Sequence, residues 1–385
     1  MKRLGTRRRI LSTAACFCLL QVHGYSAADV RTDGSLGAVQ ILNGKMVVPQ
    51  TLGQAKGQNL FHSFSVLNVN PGESLSFTTT DAFQNIVARV TGGTSSNIQG
   101  LLQVQAAAGS KPNLYLINPK GVVFGQGAVI DVPAGLHITT AHYLQFADGQ
   151  FQADLSKASS LSAATPEAFG FLGGDRATIK FTGRAQLTPV TSREISLVAG
   201  DVIVEDTWLK SYGGDIRVMA VADARLAVNT NAVPELKGTV TVTDGGLLDS
   251  SGAAGVNGGN IAVSAGDIYI GSPDLISFNG ISSNATARSG NAGNITVRAT
   301  GELRIVSGNS ITSSTHGAAN GGEANIHARQ IVIDGHNLTS TAFIAMQKKA
   351  RAMRDVSMSR LMRPCTLKMG EPLPPRRLLK ARRAS

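Results

Sequence analysis

Side chains able to do chemistry are few and scattered in this 385-residue chain. His62, His137, His142, His316, His327 and His336 share no H-x-x-x-H spacing, and residues 29–340 hold no Cys. The spacings that build a zinc site or a Cys–His pair are therefore missing. The densest ionisable group is Glu194, Asp201, Glu205 and Asp206, with Arg193 and Lys210 beside them in sequence. Clustered carboxylates of this kind suit acid–base work on a polysaccharide. These fall on strand–turn boundaries, where a solvated charge run is the plainer reading. Gly213-Gly214-Asp215 and Gly258-Gly259-Asn260 suggest nucleotide or Ca²⁺ binding at first sight. No G-x-x-x-x-G-K follows them, and the Ca²⁺-binding nonapeptide with its recurring Asp is absent, so they read as turns. Asn284, Asn294 and Asn337 fit N-x-[ST], a match expected by chance in so Ser/Thr-rich a chain. The expectation is no catalytic set, no metal and no cofactor.

The elements that would position these residues are short strands. Gly258-Gly-Asn-Ile-Ala-Val-Ser-Ala265 is answered by Ala292-Gly-Asn-Ile-Thr-Val-Arg-Ala299 and by Gly322-Glu-Ala-Asn-Ile-His-Ala328, with a fainter copy at Gly213-Gly-Asp-Ile-Arg-Val218. Each unit alternates apolar and polar residues and ends in Gly, Asn or Asp. One such unit cannot bury its apolar face, but stacked units can. This predicts an all-β parallel β-helix, a solenoid in which Ile261, Ile295 and Ile326 ladder inside. Asn260, Asn294 and Asn325 are expected to stack at a corner. A propeller needs longer blades with aromatic signatures, and aromatic residues make up only 5% of the chain.

Residues 113–125 carry the sharpest local signal. Leu114, Leu116 and Ile117 form a strand, Asn118-Pro119-Lys120-Gly121 a turn, and Val122, Val123 and Phe124 a second strand. Asn bonds its own backbone, Pro presets φ, and Gly accepts a positive φ.

The two ends differ from the body. Lys2, Arg3, Arg7, Arg8 and Arg9, an apolar run from Ile10 to Val22, and Ser26-Ala27-Ala28 read as a secretory signal over 1–28. Residues 341–385 carry twelve Lys/Arg against Asp355 and Glu371, five Met and a Pro-rich run. That composition predicts a basic tail, disordered or locally helical, either native or the product of a shifted frame or truncated gene. The ends hold 17 of the 36 bases and 2 of the 25 acids, which leaves residues 29–340 at about −4 despite the overall +11. With no basic patch interleaved with aromatics, no nucleic-acid partner is expected. No long apolar run follows the signal, so no stable membrane insertion is expected either. Cys16, Cys18 and Cys365 all lie in the ends, so the body must hold together by its core alone.

Several segments, in order, resemble filamentous-haemagglutinin-type two-partner secretion exoproteins. They are Asn59-Leu-Phe-His-Ser-Phe64 with Gly72-Glu-Ser-Leu-Ser-Phe77 after it, Asn85 to Gly100 with its Arg-Val-Thr-Gly-Gly core, Asn113 to Gly125, and Ala134 to Ala141. The family turn Asn-Pro-Asn-Gly-Ile reads Asn118-Pro119-Lys120-Gly121-Val122 here, keeping the Pro and Gly. The resemblance implies a right-handed coil and an exported passenger. It implies a secretion domain over 29–275, a β-helix stalk over 276–340 and the tail over 341–385. The implied partner is a dedicated outer-membrane pore protein, reached through the periplasm of a Gram-negative bacterium. The product is then an adhesin-type protein, secreted or held at the cell surface, and no enzyme. A β-helical polysaccharide-active enzyme and a truncated remnant without present function are the alternatives.

Overall fold

The computed structural model describes residues 30–172, 176–190, 193–221, 225–227, 236–253, 255–272, 279–285, 290–306, 309–315, 320–334, 342–346 and 366–367. The signal segment and most of the basic tail lie outside them. Among these residues there is no α-helix, and one 3₁₀ turn, Gln50–Leu52. Strands stack in three parallel ladders, the three faces of a β-helix.

The first ladder runs Asn59–Leu67, Asn85–Val90, Asn113–Ile117, Leu136–Thr139, Ile195–Ala199, Ile216–Ala220 and Ile261–Ala265. It ends in the first halves of Ile295–Val306 and Ala324–Asp334. The second runs Ser96–Ile98, Val122–Phe124, Thr178–Phe181, Asp201–Glu205, Thr239–Thr243 and Asp267–Ile270, then the second halves of those same two long strands. The third comes in two stacks. Lys45–Pro49 to Gln186–Leu187 make the first, and Trp208–Lys210 to Ala342–Met346 the second.

Register makes the core. Leu60, Ile86, Leu114, Leu136, Ile195, Ile216, Ile261 and Ile295 lie over one another in eight successive rungs, all buried. Each step is ~4.8 Å, and each buried aliphatic chain contributes about 1.5–3 kcal/mol. The expected Ile261–Ile295 pair is thus one step of a longer column. The last repeat pairs differently from the expectation. Ile295 faces Ala324, Asn325 faces Thr296, and Ile326 faces Val297, half-buried against the core. The Asn-Ile dipeptide at 325–326 resembles its predecessors, but hydrogen-bond register places it two positions on, opposite Thr296-Val297, so Ile326 keeps the inward face while leaving the Ile261–Ile295 column. In the tail, Ala342–Met346 pairs in parallel with Ser310–Ser314, and Thr366–Leu367 pairs antiparallel to Ala324–Asp334. The third ladder therefore continues past residue 340, as strand where the composition suggests disorder or helix.

Two antiparallel additions, absent from the sequence expectation, sit on the N-terminal rungs. Val30–Thr32 and Gln54–Lys56 pair with the edge of Asn59–Leu67 and cap the coil. Tyr143–Phe146, Gly149–Gln152, Ala168–Gly170 and Arg225–Ala227 form a sheet outside it. That sheet sets Phe146, Phe151, Phe169 and Phe171 against Phe61, Val87, Tyr115, Ile117, Val198 and Met219 on the outer side of the first ladder. Asn85–Val90 is accordingly buried on both faces.

Candidate functional site

The polar groups that hold these elements together converge on the first rungs. Asn59, Asn85 and Asn113 each begin a strand of the first ladder and lie in register. Asn85 Nδ2 donates to Asn59 Oδ1 at 2.8 Å, and Asn113 Nδ2 donates to Asn85 Oδ1 at 2.9 Å. The chain of amides is closed at both ends. Asn59 Nδ2 donates to the carbonyls of Ser162 and Ala164 at 2.9 and 2.6 Å, and Asn113 Oδ1 accepts from Gly135 N at 2.8 Å. A carboxamide has two donors and an acceptor, so it can bond up and down the axis at once. Each of the quoted segments that carries this residue opens on it, so the signal was present in the sequence without its meaning. The corner at Asn260 and Asn294 works differently. Asn260 Oδ1 accepts from Asn294 N at 3.0 Å, and Asn294 Oδ1 accepts from Glu323 N at 2.9 Å, both exposed. Glu323, not Asn325, takes the next position.

Arg89 is the charged centre of the site. It is 2% exposed. Nε donates to Ser63 Oγ at 2.7 Å, Nη1 to Ser159 Oγ at 2.9 Å and to the Gln152 carbonyl, and Nη2 to Ser35 Oγ at 2.9 Å. The guanidinium also lies 4.2 Å from the centroid of Phe151, a cation–π contact. Asp33 completes it, accepting from Ser63 Oγ and, at 2.9 Å, from Thr91 Oγ1. Burial pushes the Asp33 carboxyl up, but hydrogen bonds from Ser63, Ser35 and Thr91 outweigh it and hold it below its ordinary value. Burial lowers Arg89, and the charge of Asp33 opposes this. One side chain thus joins the second rung, the N-terminal cap and the outer sheet. Gly92 follows closely, where a Cβ would fall 1.8 Å from the Ser65 carbonyl oxygen. No residue but Gly lets the chain pass there.

The turn at 118–121 links the first ladder to the second. Asn118 is buried, and its Nδ2 donates to Thr94 O and Ser96 Oγ, both at 3.0 Å. Its Oδ1 accepts from Lys120 N at 2.9 Å, and its carbonyl from Gly121 N at 3.0 Å. Gly121 has φ of 107°, and a Cβ there would lie 2.8 Å from Thr178 O. Pro119 is half-buried, Lys120 is exposed and Val122 is buried in the second ladder. The turn is therefore bonded to Ser96 in the rung on one side and packs its backbone closely against Thr178 on the other, with Lys120 facing out.

Two histidines enter apolar or aromatic surroundings. His62 heads the inward column continued by Ala88, Leu116 and Ile138. It lies 5.3 Å from Phe77 between ring centroids, and neither ring nitrogen has a hydrogen-bond partner. Burial pushes its pKa down to about 4, against a weak contact with the Leu52 backbone. His137 stacks on Tyr115 at 4.1 Å, and burial with the nearby Arg217 charge brings it to about 3.

The carboxylates weighed for acid–base work do not converge. Asp201 Oδ1 accepts from Thr239 N and Oγ1, Glu205 pairs with Lys180 at 2.7 Å, and Asp206 pairs with Arg184 at 3.4 Å. Lys210 pairs with Asp249 on the third face, and Arg193 is buried with Nη2 donating to Val132 O at 2.6 Å. Glu194 stands apart just before strand Ile195–Ala199, raised by burial against the pull of Arg217. Among the described residues no three His, Cys, Asp or Glu side chains gather as a metal site, and no helix is long and apolar enough to cross a membrane. The arrangement is built to lock neighbouring rungs, and the 118–121 turn shows solvent the exposed Lys120.

The family model for the TPS secretion domain matches residues 28–241. No curated protein matches. Similar solved structures include two secretion domains. The crystal structure of the HMW1 secretion domain from Haemophilus influenzae shares 17% identity, with 73% of this chain and 78% of that one covered at a TM-score of 0.36. The crystal structure of a filamentous hemagglutinin secretion domain shares 18% identity, with 80% and 97% covered at a TM-score of 0.44.

Proposed function

The chain belongs to the TPS secretion domain family, and from that premise we propose that it is an adhesin-type passenger whose first rungs are the part recognised for export. It is a two-partner secretion exoprotein, secreted or displayed at the surface through an outer-membrane partner. The observation carrying the reading is that the matched span, 28–241, holds the Arg89 node, the Asn59–Asn113 amide ladder and the Asn118 turn. A passenger that crosses a pore extended has to begin folding on the far side from its first-emerging end. These three devices lock the N-terminal rungs to one another, which gives later rungs an edge to add to. Folding of the emerged segment then disfavours back-sliding without a nucleotide. In this reading the segment Asn118-Pro119-Lys120-Gly121-Val122 sets the corner of the third rung, residues 1–28 are the leader, and the chain does no catalysis.

The test is export in a Gram-negative host carrying the chain with its cognate pore protein. Protein should accumulate outside, protease-resistant, when the pore is present. It should remain in the periplasm when the pore is deleted. Equal export without the pore overturns the reading.

A further inference from the structure

The corner at which the first-ladder strands begin has one gap. Side-chain oxygens there take the backbone N–H of the residue one rung on. Asn113 Oδ1 accepts from Gly135 at 2.8 Å, Asp215 Oδ1 from Asn260 at 2.7 Å, Asn260 Oδ1 from Asn294 at 3.0 Å and Asn294 Oδ1 from Glu323 at 2.9 Å. Gly135 has no side chain to offer. Leu136 faces Ile195, so Glu194 stands one rung on from Gly135, and its N–H meets no such acceptor. A cleft of about 220 Å³ opens at this gap, lined by Asn113, Tyr115, His137 and Glu194, and it reaches solvent beside the exposed Gln84 and Thr165. A single water needs only about 10–15 Å³, so the cleft has room for a small molecule or a side chain.

The groups around the cleft are left unsatisfied by the protein. His137 is 2% exposed, and its Nδ1 has no hydrogen-bond partner. Its Nε2 reaches the gap, 2.8 Å from where a Gly135 Cβ would stand, and Asn113 Oδ1 is 2.7 Å from the same point. In the same column, Ser196 Oγ is buried and unpartnered, as are Nε and Nη1 of Arg217 one rung further. Buried polar atoms in native proteins are normally paired, so this patch points to an occupant. An anion would sit against the Glu194 carboxyl, with Asp215 one rung on. A metal ion would find a single carboxyl, and among the described residues no three metal-ligating side chains gather. An apolar body would bury the polar atoms without partners. What fits is a neutral planar group with an acceptor and two donors, the primary carboxamide. It is the group this corner already stacks from Asn59 through Asn85 to Asn113. Its oxygen accepts from Glu194 N–H. Its two N–H groups donate to the Glu194 carboxyl and to Asn113 Oδ1, a carbonyl oxygen with a second lone pair beside the one that Gly135 N uses.

We propose that the cleft at Gly135 binds a primary carboxamide, which takes the place of the side chain that the corner lacks there. Free glutamine or asparagine carries this group, and so does either residue within an extended peptide. The site belongs to the folded coil and does not depend on how the chain is exported. Isothermal titration calorimetry of the intact folded protein tests it with propionamide, free glutamine and a capped Gly-Asn-Gly peptide. Propionate and glutamate are the carboxylate controls. The expected result is saturable binding of an amide and none of its carboxylate counterpart. Tighter binding of the peptide than of glutamine assigns a peptide side chain as the source, and the reverse order assigns the free amino acid. Gly135→Ala sets a methyl group into the gap against Asn113 Oδ1 and His137 Nε2, and it should bind at least about tenfold more weakly with unchanged circular dichroism. Glu194→Ala keeps the backbone N–H and removes the carboxyl acceptor, so it too should weaken binding, and it serves if Gly135→Ala does not fold. Binding of no amide, which would mean that the cleft holds only water, overturns the proposal. So does equal binding of propionate and propionamide, or undiminished binding by either folded variant.

Discussion

Arg89 lies directly opposite Ser63 in the first ladder, and its Nε donates to Ser63 Oγ at 2.7 Å while that hydroxyl donates to Asp33. The guanidinium and carboxylate are thereby bridged through a buried hydroxyl, and neither charge meets bulk water freely. Removing Arg89 leaves the buried Gln152 carbonyl and the Ser63 and Ser159 hydroxyls without their charged donor, which costs about 1–3 kcal/mol, while half-buried Asp33 keeps its own hydrogen bonds. Arg89→Ala should lose that much in urea unfolding of the intact protein, read by circular dichroism. Arg89→Lys should recover little, since one ammonium cannot reach Ser35, Ser63, Ser159 and the Gln152 carbonyl at once. Full stability in Arg89→Lys would show that charge alone matters.

Asn118 and Gly121 make separable demands on one turn. Asn118→Asp keeps the acceptor for Lys120 N but loses the two donors that reach Thr94 O and Ser96 Oγ. A buried acceptor left without its donor costs about 1–3 kcal/mol. Gly121→Ala meets a positive φ and the Thr178 carbonyl together, and the conformational part alone costs about 1–2 kcal/mol. Both variants should leave less protease-resistant protein outside the cell, while Lys120→Asn, at an exposed position, should export as the parent does. Normal export of Gly121→Ala would remove the turn from the secretion argument.

The coil was legible because Gly-Asn-Ile repeats announce a stack, and the corner turn because Asn, Pro and Gly have their own chemistry. The long column from Leu60 to Ile295 was not, because its spacing is irregular. Leu136 and Ile195 are register neighbours, yet the first three strands of the outer antiparallel sheet are inserted between them in sequence. The same sheet buries the outward face of Asn85–Val90, which erases the alternation that marks a half-solvated strand. Arg89 stands out in the sequence only as part of the Arg-Val-Thr-Gly-Gly segment and its role was not legible, because its partners, from Ser35 to Ser159, are distant in sequence and brought to it only by the fold. The slip at Asn325 has the opposite cause. The dipeptide looked right, while the shorter loop before it moved the pairing by two positions.

The two asparagine corners should respond differently to the same change. Asn85 is 3% exposed and bonds to carboxamides above and below it, so Asn85→Ala strands a donor on Asn113 and an acceptor on Asn59. The expected loss is about 1–3 kcal/mol. Asn294→Ala frees one exposed backbone contact, the Glu323 N–H, which water replaces, with an expected change within about 0.5 kcal/mol. Denaturant midpoints of the two variants at equal slope decide it. Equal losses would mean that the amide chain of the first rungs has no special weight.

His62 gives the fold a defined acid sensitivity. Its folded pKa of about 4 lies below the 6.5 of the exposed imidazole, so between these values the unfolded chain binds a proton that the folded chain refuses. Stability is therefore full above about pH 6.5, falls as the pH drops toward 4, and stops falling on this account below it. The difference corresponds to at most about 3 kcal/mol. His137, with a folded pKa of about 3, acts with the same sign over a slightly wider window. Asp33, held below its ordinary value, adds a loss only at still lower pH, as its folded carboxylate takes up a proton. His62→Leu places an aliphatic chain at the head of a column that is otherwise aliphatic, and it should flatten the decline between pH 6.5 and 4 without lowering stability at pH 7.5. Urea midpoints of the parent and His62→Leu across that range give the comparison. Parallel curves for the two proteins would mean that His62 is not the group that titrates.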